Sequence, residues 1–245
     1  MQVRDTESEE VGRVIFTFWE GKMPDYIRLC INTWKVPYII LDYETVNDFT
    51  FVPIAKLKEK RYTLPHVADI VRAHVLRDNG GYWLDADTIM LTDRLPETNM
   101  LGYPDTRVNT CGYLYTEPHT EFFTEWCKYQ DEIIRGPEIP WHWATFANAF
   151  TDGYVKDHSE VTIGNIEKYW PERYMIPGDI MHMKKYPEFY FAQSKHLADI
   201  KETDMIMLHN SWTPKRYKQM SEDEILNTNN CTLSNILRET LHRSS

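Results

Sequence analysis

The sequence predicts an α/β fold in which a mixed, mostly parallel sheet is flanked by helices. Three observations predict it. The chain opens strand–helix–strand, its clearest helix ends on a glycine pair, and a buried strand follows that pair at once.

Each element has its own signal. Val14–Trp19 (VIFTFW) is a short apolar run that ends near Gly21 and Pro24, the mark of a buried first strand. Pro24–Trp34 reads as a helix with its proline near the first turn, where no backbone N–H is needed. Tyr38–Leu41 (YIIL) makes a second buried strand, so the opening is Rossmann-like. Leu64–Asn79 is the clearest helix: Thr63 is placed to cap it, Pro65 lies near its first turn, and Asn79-Gly80-Gly81 stops it. At about 100° per residue, Val67, Ala68, Val71 and Val75 share an apolar stripe, with Asp69, Arg72 and Leu76 on its flank.

Tyr82–Leu84 is a strand running into Asp85-Ala86-Asp87, and Thr88–Leu91 is a second short strand. Cys111–Tyr115 is another. Glu121–Ile134 is an amphipathic helix that places Phe122, Trp126, Tyr129 and Ile133 in the core. Met205–Leu208 (MIML) is a late buried strand ending in His209-Asn210-Ser211-Trp212, and the tail from Ser221 is helical. Pro137–Gly178 is rich in Pro, Trp and Tyr with weak periodicity. The expectation is one domain over residues 1–245, with an irregular acceptor-side insertion at about 137–190.

The totals narrow the function classes. Hydrophobic residues at 42% supply a core, which excludes global disorder. No stretch has the roughly 18 uninterrupted apolar residues of a membrane span. The opening MQVRDTESEE is acidic and lacks a signal-peptide core, and the four cysteines form no C-x-x-C pair. These features predict a cytoplasmic protein with at most peripheral membrane contact, for which Leu233–Arg243 is a weak amphipathic candidate. A net charge of -10 with no basic run argues against nucleic acid as a partner.

The chemistry concentrates at Asp85 and Asp87. A buried strand delivers two carboxylates, two residues apart, to the carboxyl edge of a parallel sheet, where open α/β sheets bind ligands. Carboxylates this close repel unless a cation lies near them, and a hard divalent ion such as Mn²⁺ or Mg²⁺ can keep positions open for diphosphate oxygens. In sugar transfer such an ion stabilises the departing nucleoside diphosphate. Asp-x-Asp alone is a weak signal. Its context here is longer: from Asp69 the run reads D-x-x-R-x-x-x-L-x-x-x-G-G-x-W-L-D-x-D.

That run resembles glycosyltransferase family 32, which contains yeast initiating mannosyltransferases and many bacterial capsule-building sugar transferases. More distantly it resembles the large clostridial glucosylating toxins. Phe16–Gly21 (FTFWEG) and His209–Trp212 (HNSW) are the outer anchors, so the resemblance spans about residues 13 to 215. It implies a GT-A fold, retention of anomeric configuration, and Mn²⁺ or Mg²⁺. It also implies that Trp19, or its neighbour Phe18, stacks on the donor's base. Asp69 and Arg72 would hold the donor sugar and its phosphate. Asp85 would contact ribose or sugar and reach the metal through water, and Asp87 would ligate the metal directly. His209 or its neighbours would complete the metal site, Ser211 would contact the donor, and Trp212 would close over the diphosphate. Asn109 matches a donor-contacting Asn loosely.

The expected reaction is transfer of a hexose from a nucleotide-sugar, with a UDP-sugar favoured on family habit, to a glycan or lipid-linked glycan. Two other classes stay open at this point. Asp85-Ala86-Asp87-Thr88 also fits the start of a haloacid-dehalogenase-like phosphatase, but the acidic pair such enzymes need later is missing around Gly178-Asp179. A non-catalytic nucleotide-sugar binder is the other, although paired carboxylates cost free energy without an ion.

Overall fold

A computed structural model describes residues 14–106, 108–137, 142–178, 181–201 and 203–243. Asp179 and Trp141 lie outside the described residues.

The elements in chain order are β1 (Ile15–Phe18), α1 (Asp25–Asn32), β2 (Tyr38–Leu41), α2 (Ile54–Glu59), α3 (Leu64–Asn79), β3 (Gly81–Leu84), β4 (Thr88–Met90), β5 (Met100–Tyr103) and β6 (Val108–Thr116). There follow α4 (Glu121–Arg135), α5 (Asn148–Asp157), β7 (Ile163–Asn165), α6 (Pro171–Met175), α7 (His182–Phe191), β8 (Met205–Met207), α8 (Lys215–Lys218), α9 (Glu222–Asn227) and α10 (Thr232–Arg243). They form two compact units. Unit 1 takes residues up to Glu20, Val36–Asp85 and Pro96–Asn165; unit 2 takes Gly21–Lys35, Ala86–Leu95 and the chain from Ile166.

Unit 1 holds a six-stranded sheet in the order β2-β1-β3-β6-β5-β7. Strands β2, β1 and β3 run parallel, β6 lies antiparallel between β3 and β5, and β7 is parallel to β5. Five strands therefore share one direction and β6 alone opposes them, the mixed and mostly parallel sheet that the sequence predicts. Helix α3 packs on β1, β3 and β6. The sequence gives it one apolar stripe, but His66 to Leu76 is buried almost without interruption, so α3 is an interior helix. Thr63 occupies its N-cap position without a side-chain hydrogen bond. On α4, Phe122 and Trp126 are buried as expected, while Tyr129 and Ile133 pack at the core's margin.

The glycine pair between α3 and β3 is required by its backbone. Gly81 has φ +85° and an added Cβ would meet the Val14 carbonyl oxygen at 2.8 Å. Only glycine adopts that conformation without strain. Gly81→Ala is expected to destabilise the protein by about 3 kcal/mol, from the left-handed penalty plus displacement of β1. Urea unfolding would measure it, and a loss below about 0.5 kcal/mol would show that this turn is not fixed by β1.

The predicted irregular insertion is more ordered than its composition suggests. α5 packs on β6 and α4, and β7 adds an edge strand to the sheet. Phe146, Val155 and Val161 are buried there.

Unit 2 is built around the antiparallel pair β4 and β8, in the register Thr88↔Met207, Ile89↔Ile206 and Met90↔Met205. Thr88–Leu91 is thus a strand, as expected, but of a second, two-stranded sheet. Trp34 Nε1 donates to the Thr88 carbonyl at 2.8 Å and Thr33 Oγ1 accepts from the Met90 N–H at 2.8 Å, which fastens the end of α1 to β4. Ser221 caps α9 through a reciprocal exchange with Glu224. Leu233, Ile236 and Leu237 are buried, so the apolar face of α10 is used inside unit 2 rather than presented to a bilayer. No described helix is long and apolar enough to cross a membrane.

Candidate functional site

In unit 1 the carboxyl ends of the parallel strands carry the predicted residues. Trp19 follows β1, and its N–H extends the ladder to the Leu41 carbonyl at 2.9 Å. Its indole Nε1 is buried without a hydrogen-bond partner, a donor still to be satisfied. Phe18 is buried edge-on against Tyr43, with ring centroids 5.6 Å apart, so it belongs to the core. Asp85 follows β3, and its N–H donates to the Gly112 carbonyl at 2.9 Å.

Arg72 organises this edge. Its Nη2 lies 3.1 Å from Asp69 and 3.4 Å from Asp85, and Nη1 donates to the Cys111 carbonyl. The guanidinium also sits over the Trp83 ring at 5.0 Å, and Trp83 Nε1 donates to Asp85 at 2.9 Å. Arg72 is only 6% exposed and Asp69 8%, whereas the Asp85 side chain is 40% exposed. One buried cation thus orients two carboxylates, one enclosed and one facing water. The i, i+3 spacing of Asp69 and Arg72 on α3 produces the first pair, and the strand-to-loop exit of β3 produces the second.

Burial pushes the Asp69 carboxyl up to about 7, against the lowering effect of Arg72 and with a further rise from Asp85. The folded state therefore holds this proton more tightly than the unfolded chain. The resulting stability is fully present below about pH 4 and is lost as pH rises through about 7. Asp69→Asn should flatten this part of the Tm-against-pH curve between pH 4 and 8, as scanning calorimetry would read. An unchanged slope would mean that another group carries it.

Asn109 is buried, but its polar atoms are engaged within the fold. Nδ2 donates to Asp152 at 2.7 Å and Oδ1 accepts from Thr151 at 3.0 Å. It braces β6 against α5.

In unit 2, Asp87 leads into β4. Its Oδ2 accepts the Asn210 N–H at 2.6 Å and its carbonyl accepts the Leu208 N–H at 3.1 Å. The predicted Asp87 and His209–Trp212 segments are therefore brought together. Buried Tyr26 donates to Asn210 Oδ1, fixing the turn from the α1 side. Ser211 is exposed, and Trp212 packs against His209 with ring centroids 4.0 Å apart and the planes tilted by 35°. His209 sits among Trp170, Tyr186 and His182, and burial lowers its imidazole to about 3 with a further lowering from His182. Among the described residues, the group with metal-ligand spacing that contains His209 is Glu172, His182 and His209; Asp87 is not part of it.

Comparison with known proteins fixes the family. A family model described as "Capsular polysaccharide synthesis protein" matches residues 1–176. The chain belongs to that family. The matched region contains the whole Asp69–Asp87 run and ends before the HNSW segment. No curated protein matches the chain. Among solved structures it is similar to one titled "PaToxG Glycosyltransferase", at 16% identity and a TM-score of 0.38, over 60% of this chain and 70% of that one.

Sequence reasoning misses several residues of this family member's candidate site. Trp83 stands in the Asp69–Asp87 run with no role assigned to it, yet it joins Arg72 to Asp85. Lys218 on α8 is near enough to Asp87 for the carboxylate to raise its ammonium, although burial dominates and lowers it. Glu172 lies in the region of weak periodicity and His182 just beyond it, and no motif announces them.

Proposed function

We propose that the chain is a metal-dependent, retaining glycosyltransferase. It moves a hexose from a nucleotide-sugar, with a UDP-sugar favoured, to a glycan or lipid-linked glycan. The observation that carries this reading is the Arg72 clamp: a buried guanidinium orients Asp69 and Asp85 at the strand exit that continues into Asp87. Membership of the capsular polysaccharide synthesis family supports it independently, as does the family-32 resemblance of the Asp69–Asp87 run.

The donor set fits a hard divalent ion. Asp85 and Asp87 offer carboxylate oxygens, the ligands Mn²⁺ and Mg²⁺ prefer, and the Asp85 side chain is open to solvent. Those two residues would hold the ion. When bound, it supplies positive charge for the diphosphate that leaves.

The chain's own groups do the rest. Arg72 keeps Asp85 in one orientation, with the enclosed Asp69 carboxyl beside it; the family-32 resemblance gives this Asp69–Arg72 pair to the donor sugar and its phosphate. Trp19 offers an indole face to the base and an unsatisfied N–H to a polar group of the donor. Trp212 covers the diphosphate, with the exposed Ser211 beside it, and Lys218 adds a cation near Asp87. Transfer on the front face, with the leaving phosphate drawing the acceptor's proton, needs no protein nucleophile. A lipid-linked acceptor would bring the protein to the inner membrane face as a peripheral enzyme.

A thermal-shift and calorimetric panel of UDP- and GDP-hexoses, with and without Mn²⁺, tests this. The expected result is a Mn²⁺-dependent rise in Tm for at least one nucleotide-sugar, followed by slow release of the nucleoside diphosphate. No Mn²⁺-dependent shift with any of them would overturn the reading. Binding without release would leave a nucleotide-sugar binder.

A further inference from the structure

We propose that Glu172, His182 and His209 form a second metal site, separate from the Asp85–Asp87 pair and selective for a first-row transition ion of the zinc class. The three residues come from three places in unit 2: α6, the first residue of α7, and the turn after β8. One ligand atom from each lies within 4.8 Å of the others. The inference does not rest on the donor-sugar reading.

The chemistry of the set argues for an ion rather than a simple ion pair. Glu172 is 0% exposed. A carboxylate that deep needs compensating charge and its lone pairs satisfied. Its Oε1 meets His182 Nε2 at 2.6 Å, and its Oε2 accepts from the buried Tyr190 hydroxyl at 3.1 Å. That leaves His209, whose Nε2 is buried and has no hydrogen-bond partner, next to His182 with ring centroids 4.9 Å apart. An unpartnered imidazole nitrogen beside a fully buried carboxylate–imidazole pair is costly. A cation bound by all three would satisfy it.

The dimensions suit such an ion. Zinc-type bonds of about 2.0–2.2 Å at tetrahedral angles put neighbouring ligand atoms about 3.4 Å apart. The Glu172–His182 contact would open by under about 1 Å and the longer separations would close by a little over about 1 Å, within the reach of side-chain rotation. Two imidazoles and one carboxylate match nitrogen-preferring transition ions, whereas the all-carboxylate Asp85–Asp87 pair matches Mn²⁺ or Mg²⁺. Tyr190 supplies the outer hydrogen bond that orients the carboxylate. Trp170, Tyr186 and Trp212 supply an aromatic wall. The role is structural: the ion would pin α6 and α7 to the HNSW turn. This assigns His209 differently from the family resemblance, which gives it to the nucleotide-bound ion.

Chelator-stripped full-length protein titrated with Co²⁺ tests the proposal. Expected is one equivalent bound with the intense visible absorption of low-coordinate cobalt, bleached by Zn²⁺, and a Tm raised by Zn²⁺. His182→Ala should lower Co²⁺ affinity by more than about 100-fold, since loss of a mere outer partner already costs about 10–100-fold. Asp87→Asn, whose amide oxygen can still accept the Asn210 N–H beside His209, should keep the absorption while losing any Mn²⁺-dependent response to nucleotide-sugars, so failure here and failure of the glycosyltransferase reading are distinguishable. Wild-type protein that shows no stoichiometric absorption overturns the site without recourse to a variant. So does a signal that His182→Ala leaves unchanged in affinity, or one that disappears in Asp87→Asn.

Discussion

Asp87→Ala is expected to reduce sugar transfer and metal-dependent donor hydrolysis by about 10³-fold or more, the largest effect of any single substitution here. The proposed role of Asp87 is direct ligation of the ion that neutralises the leaving diphosphate. That charge develops in the transition state, so its loss falls on kcat rather than on donor affinity alone. The structural cost is smaller and separable. Asp87 Oδ2 accepts the Asn210 backbone N–H, and removing a charged acceptor of that kind costs about 1.5–3 kcal/mol. Asp87→Asn isolates the two effects, because its amide oxygen can still accept the Asn210 N–H while its charge is gone. Initial rates of nucleotide release at saturating Mn²⁺, beside melting curves, read both. Full activity in either variant would refute the assignment of Asp87; lost activity together with a collapsed melting curve in Asp87→Asn would trace the loss to folding.

The parts of this molecule legible in sequence are those specified locally. VIFTFW and YIIL are continuous apolar runs between breakers, and such runs become strands β1 and β2 whatever surrounds them. Asp69 and Arg72 are three apart on a helix, so their pairing follows from helical geometry alone. Partnership across the chain is a different matter. Thr88–Leu91 reads as a strand, but nothing local says that its partner is Met205–Met207, which puts it in a separate sheet. Strand β6 begins at Val108 rather than Cys111 because Asn109, polar in sequence, is satisfied by Asp152 and Thr151 on α5. α5 itself contains Thr151 and Gly153 where an apolar stripe would be sought, which is why its neighbourhood reads as irregular. Glu172 and His182 follow the same rule: a buried carboxylate paired with an imidazole ten residues away has no sequence signature until the fold closes around it.

Arg72→Met is expected to destabilise the protein by about 3–5 kcal/mol, the range for removing one partner of a buried ion pair. Methionine fills most of the volume, so the loss is electrostatic rather than a cavity. Without the guanidinium, Asp69 keeps the desolvation that already raises its carboxyl and loses the charge that lowers it, so it protonates more readily still. The Cys111 carbonyl loses a donor as well. At about 2–4 °C per kcal/mol for a chain of this size, Tm should fall by roughly 6–20 °C. Arg72→Lys retains a charge but not the fork that reaches Asp69, Asp85 and the Cys111 carbonyl together, so it should fall between the two. The decisive comparison is Asp69→Asn combined with Arg72→Met. If the penalty is electrostatic, it grows with pH as Asp69 is driven to ionise without its partner, and at about pH 8 or above the double variant regains about half of the lost stability, while the proposed transferase activity stays low because Asp85 has lost the guanidinium that helps orient it. A double variant no more stable than Arg72→Met alone would show that the cost lies in packing against Trp83, and would leave the clamp without electrostatic purpose.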